Sequence, residues 1–353
     1  VTKSSGEAVP AKVTVLVPIE AELIDEIAAC GLVEHVVYEA DLLPPARWVA
    51  DHAGSANFDR SPDQKLRWER LLAETEVALG YPGDCPEGLA ELVRRARGLR
   101  FVQGTAAGTG EHLDKAGISH QDLGEARVAS AAGIHADQLA EWVFAAVAYL
   151  RKDLPRAVAA KTARTWADRW PSSRLRGQRI LVVGTGAIGK RVLELALAYK
   201  MVPSVVTRSA ADPPAGVERS ATLEELAEMV EGADIVVNCL PANAQTAGCF
   251  SAPVFGRMQP GTIFVNIGRG ATVSTQALER ALRRGLIGGA VLDVTDPEPL
   301  PPGHPLWDAP NLVLTPHTAA LADDENRMIV ELFIDNLRRI ATGRPLINEV
   351  RLR

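Results

Sequence analysis

Aromatic residues are scarce in this chain: Phe, Trp and Tyr together make up 5% of its 353 residues. Stacking on unpaired bases needs aromatic platforms, so their scarcity argues against a nucleic-acid-binding sheet. Charge points the same way. The formal net charge is −6, and no run of Lys or Arg supplies the basic footprint that a duplex-binding surface needs. Cysteine is rare as well: Cys30, Cys85, Cys239 and Cys249 include no CxxC and no short Cys/His cluster that would build a structural metal site. They read as small apolar residues in a reducing compartment. Long apolar runs are missing too, since the strongest candidate, 142–150, has about half the length a bilayer-spanning helix needs. The opening VTKSSGEAVPA lacks the apolar core of a signal peptide, so 1–11 reads as a disordered tail. These absences predict a cytoplasmic protein with no membrane, nucleic-acid or metal partner.

What is present is an α/β alternation too long for one core. Apolar residues are an ordinary 47%, and single cores stop growing near ~250–300 residues, so two domains are expected. A β-rich run at 12–18, a helical pattern at 20–29 and a short strand at 34–38 begin a parallel sheet. The stretch 41–60, with Pro44, Pro45, His52, Gly54 and Asp59, breaks the rhythm and reads as a surface excursion. A helix at 62–76, a strand at 76–81, a helix at 87–96 and a strand at 99–103 restore it. That last strand runs into GTAAGTG at 104–110, where small residues let backbone N–H groups point at an anion or simply make a surface turn. After a strand near 128 and a long helix at 136–152, a fresh β-α rhythm starts at 178 and continues to a strand at 311–315. The helical pattern at 325–339 is placed to pack back on the first domain. No solenoid-period repeat and no low-complexity tract interrupts this order.

Residues 180–190, ILVVGTGAIGK, set a GxGxxG run between a strand and a helix. Gly184 permits the tight turn, Gly186 lets a pyrophosphate approach the backbone, and Gly189 lets the helix pack closely; Thr185, Ala187 and Ile188 complete the loop. The next strand normally ends in an acid that binds the ribose hydroxyls of NAD, but here it ends in Thr207, Arg208 and Ser209. A guanidinium with two hydroxyls suits a 2′-phosphate, so NADP(H) is the expected cofactor and NAD(H) the alternative.

Downstream, three polar residues follow in order in Gly- or Pro-marked segments. Arg269 closes a strand in NIGRG, Glu298 lies in LDVTDPEP, and His317 ends LTPH. A planar guanidinium can hold a carboxylate with two parallel bonds. An imidazole can give a proton to a carbonyl becoming an alkoxide, and a neighbouring carboxylate would orient it. The remaining histidines, at 35, 52, 112, 120, 135 and 304, read as caps, turns or surface groups.

Four stretches, VVGTGAIG at 182–189, VNIGRG at 265–270, LDVTDPEP at 292–299 and PLWDAPNLVLTPH at 305–317, resemble in order the D-isomer-specific 2-hydroxyacid dehydrogenase family. The resemblance implies two Rossmann-like doubly wound parallel-sheet domains. A flavodoxin-like substrate domain, 12–133 with 319–353, would carry an inserted NAD(P)-binding domain at 134–318, and the chain would form a homodimer. It implies that Arg269 binds a small 2-oxo or 2-hydroxy acid, that His317 is the acid/base and that Glu298 is its partner. Ala107 and Gly108 would hold the substrate carboxylate through backbone N–H groups. Asp293 and the Cys239–Leu240–Pro241 segment would line the nicotinamide pocket, and Thr246, Ile267, Gly268 and His317 would complete the cofactor contacts. The Thr207–Ser209 segment resembles the glyoxylate/hydroxypyruvate reductase branch, which uses NADPH for reduction. Ala107 stands where phosphite dehydrogenases carry Lys, and Glu298 differs from the Gln of formate dehydrogenases. A corepressor-like dinucleotide-binding scaffold shares the fold and the same trio, and is the alternative.

Overall fold

The computed structural model describes residues 12–209 and 213–351; the expected tail at 1–11 lies outside them. The chain forms two compact units, Val1–Ile134 with Leu321–Arg353, and His135–Ala320. The second is thus inserted in the first.

In the first unit five strands, β1 (Lys12–Val15), β2 (His35–Val37), β3 (Val77–Leu79), β4 (Phe101–Gln103) and β5 (Arg127–Ala129), pair in parallel in the order β2-β1-β3-β4-β5. Val13 and Val15 of β1 and the whole of β3 and β4 are buried, as expected where both faces of a parallel sheet are covered. One face is covered by the helix Glu325–Ala341. Its Ile329, Val330, Phe333, Leu337 and Ile340 recur every three or four residues and join β1 and β3 in one core, where Phe333 stacks on Phe101 at 6.1 Å. The other face packs the helices Pro62–Ala73 and Pro86–Arg95 over Leu16, Ala78, Val102 and Val128. The first of these starts with a reciprocal Ser61–Gln64 capping box followed by Pro62.

The stretch 41–60 is more than the surface excursion that its composition predicted. Leu42 and Leu43 enter the second core, and Asp51 and His52 are buried. His52 Nε2 pairs with Asn326 Oδ1 at 2.8 Å, and Asn326 Nδ2 donates to Glu20 Oε2 at 2.8 Å. An imidazole with a buried partner 274 positions away is core structure, which corrects the expectation for His52. His135, 9% exposed, is likewise buried. His304 does act as a cap, accepting from the Leu306 N–H.

The second unit holds seven parallel strands: β6 (Arg179–Val183), β7 (Val202–Val206), β8 (Arg219–Ala221), β9 (Ile235–Asn238), β10 (Ile263–Asn266), β11 (Gly289–Leu292) and β12 (Leu312–Leu314). Their order is β12-β11-β10-β9-β6-β7-β8. The chain runs outward from β6 through β7 to β8, then crosses to β9 on the other side. The carboxyl ends of β6 and β9 therefore flank the point where strand order reverses, the usual ligand crevice of such sheets. Separate apolar clusters cover the two faces. One gathers Phe250, Phe255 and Phe264, with ring centroids 4.9–6.4 Å apart; the other packs Leu139, Val143 and Val147 of the helix Ala136–Arg151 on β6 and β10. Both units are doubly wound α/β domains, the first with the flavodoxin strand order.

Candidate active site

The turn after β6 has the shape that an approaching pyrophosphate needs. Gly184 sits at φ +99°, where other residues are strained, and a Cβ there would come within 3.2 Å of the Cys239 backbone. A Cβ on Gly189 would strike the Gly184 carbonyl at 1.9 Å, so the helix Ala187–Ala198 can seat its first turn this close only with glycine. Gly186 differs: nothing lies within 4 Å of its Cβ direction. The backbone is bare there, beside a helix start whose first N–H groups have no helical acceptor. These residues fit a dinucleotide.

At the carboxyl end of β7, Thr207 donates to the Ser209 carbonyl at 2.7 Å, which curls the segment, and Arg208 is exposed. Among the described residues no acid pairs with its guanidinium. The cation expected there is available to an anionic ligand.

The carboxyl ends of β9 and β10 are tied by buried amides. Asn238 Nδ2 donates to Asn266 Oδ1 at 2.9 Å and to Thr272 Oγ1 at 2.7 Å, while Thr272 donates to the Arg269 carbonyl at 2.6 Å. Asn238 Oδ1 accepts from Leu240 N–H and Asn266 Oδ1 from Gly268 N–H, both at 3.1 Å. The Leu240–Pro241 and Gly268–Arg269 backbones are thereby held by one fully buried network. Asn238 and Thr272 were not among the sequence candidates. Their partners are 28 and 34 residues away, beyond any local motif. Thr246 closes the neighbouring turn by donating to the Pro241 carbonyl at 2.6 Å.

Glycine also sets the next contact. A Cβ on Gly268 would lie 2.5 Å from the Leu240 carbonyl, and one on Gly270 would lie 2.0 Å from the Thr295 carbonyl. The turn that carries Arg269 thus rests directly on the segment that carries Glu298. Arg269 is half-buried, and its Nη1 donates to the Gly268 carbonyl at 2.9 Å.

His317 and Glu298 meet: Nδ1 and Oε1 are 2.6 Å apart, both side chains being partly open to solvent. The Thr295 N–H donates to the other Glu298 oxygen at 3.3 Å. Buried Asp293 shapes the loop beneath. Its Oδ1 accepts from Thr315 Oγ1 at 2.6 Å and from the Thr318 and Ala319 N–H groups, and its carbonyl accepts from His317 N–H at 2.9 Å. His317 takes the left-handed conformation, φ +52°, within this clamp. With Nδ1 facing Glu298, Nε2 remains for a reacting group.

Burial pushes the Cys239 thiol up to about 12 and the Cys249 thiol up to about 11, so neither is a thiolate near neutrality. Cys239 contributes apolar surface beside Gly184. Among the described residues no group of His, Cys, Asp and Glu could hold a metal, and no helix is long and apolar enough to cross a membrane.

Ala107 and Gly108 lie in the first unit, on the turn between β4 and the helix Thr109–Ala116. Ala107 is exposed, and among the described residues no hydrogen bond takes up the N–H groups of 106, 107 and 108.

The second unit matches a family profile described as D-isomer specific 2-hydroxyacid dehydrogenase, NAD binding domain, over residues 144–319. An uncharacterized protein in the proB 3′ region of Corynebacterium melassecola is 32% identical over 257 residues, 71% of this chain and 82% of that protein. Glyoxylate/hydroxypyruvate reductase A of Serratia proteamaculans is 34% identical over 140 residues, 40% of this chain; the match spans 44% of the reductase, less than half its length. A crystal structure of a D-isomer specific 2-hydroxyacid dehydrogenase from Xanthobacter autotrophicus, in complex with NADPH and MES, superposes with a TM-score of 0.72 at 26% identity. It covers 97% of this chain and 98% of that one. The chain, with its glycine turn at the β6/β9 crevice and its His–Glu pair, belongs to the D-isomer specific 2-hydroxyacid dehydrogenases, a family of oxidoreductases.

Proposed function

We propose that the protein is an NADPH-dependent reductase that converts a small 2-oxo acid of the glyoxylate or hydroxypyruvate kind to the D-2-hydroxy acid. The observation that carries this reading is the 2.6 Å contact of His317 Nδ1 with Glu298. It leaves Nε2 as the proton donor, on a ring that the carboxylate holds by its other nitrogen. NADPH bound in the β6 crevice supplies the hydride for the keto carbon. Gly184, Thr185, Gly186, Ala187, Ile188 and Gly189 hold its pyrophosphate, and Thr207, Arg208 and Ser209 hold the 2′-phosphate. Cys239, Leu240, Pro241, Thr246, Ile267, Gly268 and Asp293 frame the nicotinamide side, mainly by fixing backbone. Arg269 binds the substrate carboxylate and offsets charge on the developing oxyanion, His317 Nε2 protonates that oxygen, and Glu298 keeps the ring oriented. Ala107 and Gly108 receive the carboxylate with their N–H groups. In the reverse direction neutral His317 takes the proton.

The preference for NADPH rests on Arg208, which no acid pairs among the described residues, and on the Thr207–Ser209 strand end that carries no acid; the Xanthobacter relative was crystallised with NADPH. We place the protein in the cytoplasm and read it as a homodimer, the latter supported by the fully exposed Trp166 and the exposed Leu154 and Val158 close to it in sequence.

Initial rates with glyoxylate, hydroxypyruvate, pyruvate and bulkier 2-oxo acids, each with NADPH or NADH, test the assignment. Turnover of the small acids with NADPH preferred is expected, and Arg208→Ala should remove the preference by raising KM for NADPH alone. Inactivity with every pair would leave a dinucleotide-binding scaffold as the better account.

A further inference from the structure

The proposed carboxylate-holding turn is secured from two sides. On one, the Ala106 carbonyl accepts from Thr109 Oγ1 at 2.8 Å and from Ala131 N–H at 3.2 Å. Gly104 makes this closure possible, since a Cβ there would fall 2.1 Å from Thr109 Oγ1. On the other, buried Thr105 donates its hydroxyl to Asp84 Oδ1 at 3.0 Å. The N–H groups of 106, 107 and 108 lie between these anchors.

Asp84 is an unusual residue for that second anchor. It sits at the end of the Pro82–Asp84 turn with its backbone at φ +45°, next to Gly83 at φ +64°. Part of its surface meets solvent, but the carboxyl points inward. No salt bridge to Lys or Arg engages it among the described residues. The titratable groups that face it come from three other elements: His52 from the 41–60 stretch, Tyr81 from the end of β3, and His112 from the helix Thr109–Ala116. Tyr81 and His112 are themselves joined, Oη to Nδ1 at 2.8 Å, and His52 is fixed by Asn326. Burial pushes the Asp84 carboxyl above the usual carboxylate range, against the opposing pull of His52, Thr105, His112 and Tyr81. A carboxyl raised in the folded state contributes stability below its unfolded pKa and loses it as pH rises through the folded value. Near neutrality, then, its ionisation opposes folding. A group that costs stability while bonding to a ligand-binding turn is better explained by function than by structure.

We propose that Asp84 is a positioning residue for substrate: acting through Thr105, it fixes the turn 104–109 so that the N–H groups of 106–108 can receive the substrate carboxylate. The proposal rests on the reading of that turn as the carboxylate site. It gives the inward-folded 41–60 stretch a part, since His52 of that stretch acts electrostatically on Asp84. It also assigns work to a threonine that never touches the substrate.

Steady-state kinetics with a 2-oxo acid, together with equilibrium binding of oxalate to the NADP-loaded protein, test this separately from turnover. Asp84→Ala should raise KM and the oxalate Kd roughly tenfold, the size of one lost charge-assisted bond, with the dinucleotide Kd unchanged and Tm equal to or above wild type. Thr105→Val should share the loss, and Thr105→Ser, which keeps the hydroxyl, should retain wild-type affinity. Asp84→Asn keeps an acceptor without the charge and should lie between them. Unchanged KM and oxalate Kd in Asp84→Ala would overturn the proposal. A parallel fall of Tm and dinucleotide affinity would also overturn it, by showing a general structural role. If wild type binds oxalate in a Thr105-dependent way but reduces no 2-oxo acid, the reductase reading fails and the positioning role stands.

Discussion

At the scale of single residues, the His317 segment shows how a solvent-facing imidazole can still be held in one orientation. The ring bonds Glu298, while Asp293 holds the N–H groups of 317, 318 and 319 and the Thr315 hydroxyl. The buried Asp293 thus fixes the backbone that carries the ring, and the exposed Glu298 orients the ring itself. His317→Ala is expected to lower kcat by ~10²–10⁴-fold while dinucleotide binding survives, and Glu298→Gln to lower it less. Fluorescence titration beside the rate assay checks both, and unchanged turnover in His317→Ala would move the acid/base role elsewhere. The candidates for the His317–Glu298 pair stood out in the sequence because each sits in a short segment marked by Gly or Pro, and the structure brings the two side chains together. What holds the site did not. Asn238, Asn266 and Thr272 act as one network only because adjacent parallel strands bring together residues 28 and 34 positions apart. The burial of His52 depends in the same way on Asn326 at the far end of the chain.

At the scale of elements, the site is assembled by close backbone contact between turns. The glycine-marked turns after β6 and β10 lie against the backbones of 239–240 and 295. Gly270→Ala would bring a methyl group into the Thr295 carbonyl, and overpacking of this kind costs roughly 1–3 kcal/mol. A lower Tm and a lower kcat are expected together, because the strained turn carries Arg269. Gly256→Ala is the control: it is helical, with nothing within 4 Å of the added carbon, and should leave Tm unchanged or slightly raised. Thermal melts of the two variants decide whether contact or glycine content matters. Long amphipathic helices and apolar strands were read correctly from periodicity to within a few residues. The short polar elements, the helix Thr109–Ala116 and the strand Arg219–Ala221, were not read, since their sequences carry too few apolar positions to show a period. Tertiary context decides them.

At the scale of the whole molecule, the proposed homodimer makes a measurable claim. An indole 100% exposed, with Leu154 at 42% and Val158 at 52% on the preceding helix, leaves apolar area that a second copy would cover. Sedimentation at micromolar concentration should give twice the mass of one chain, and Trp166→Asp with Val158→Asp should shift it toward one; a wild-type monomer would refute the dimer. The fold also imposes an order on how the protein comes to exist during synthesis. The five strands of the first unit are complete by residue 129, yet the helix Glu325–Ala341 that covers one of their faces is translated only after the whole inserted unit. The inserted unit is continuous in sequence and can close its core as soon as β12 leaves the ribosome. The unit that starts before the inserted one is therefore finished after it, and until then Val13, Val15, Leu79 and Phe101 wait with one face uncovered.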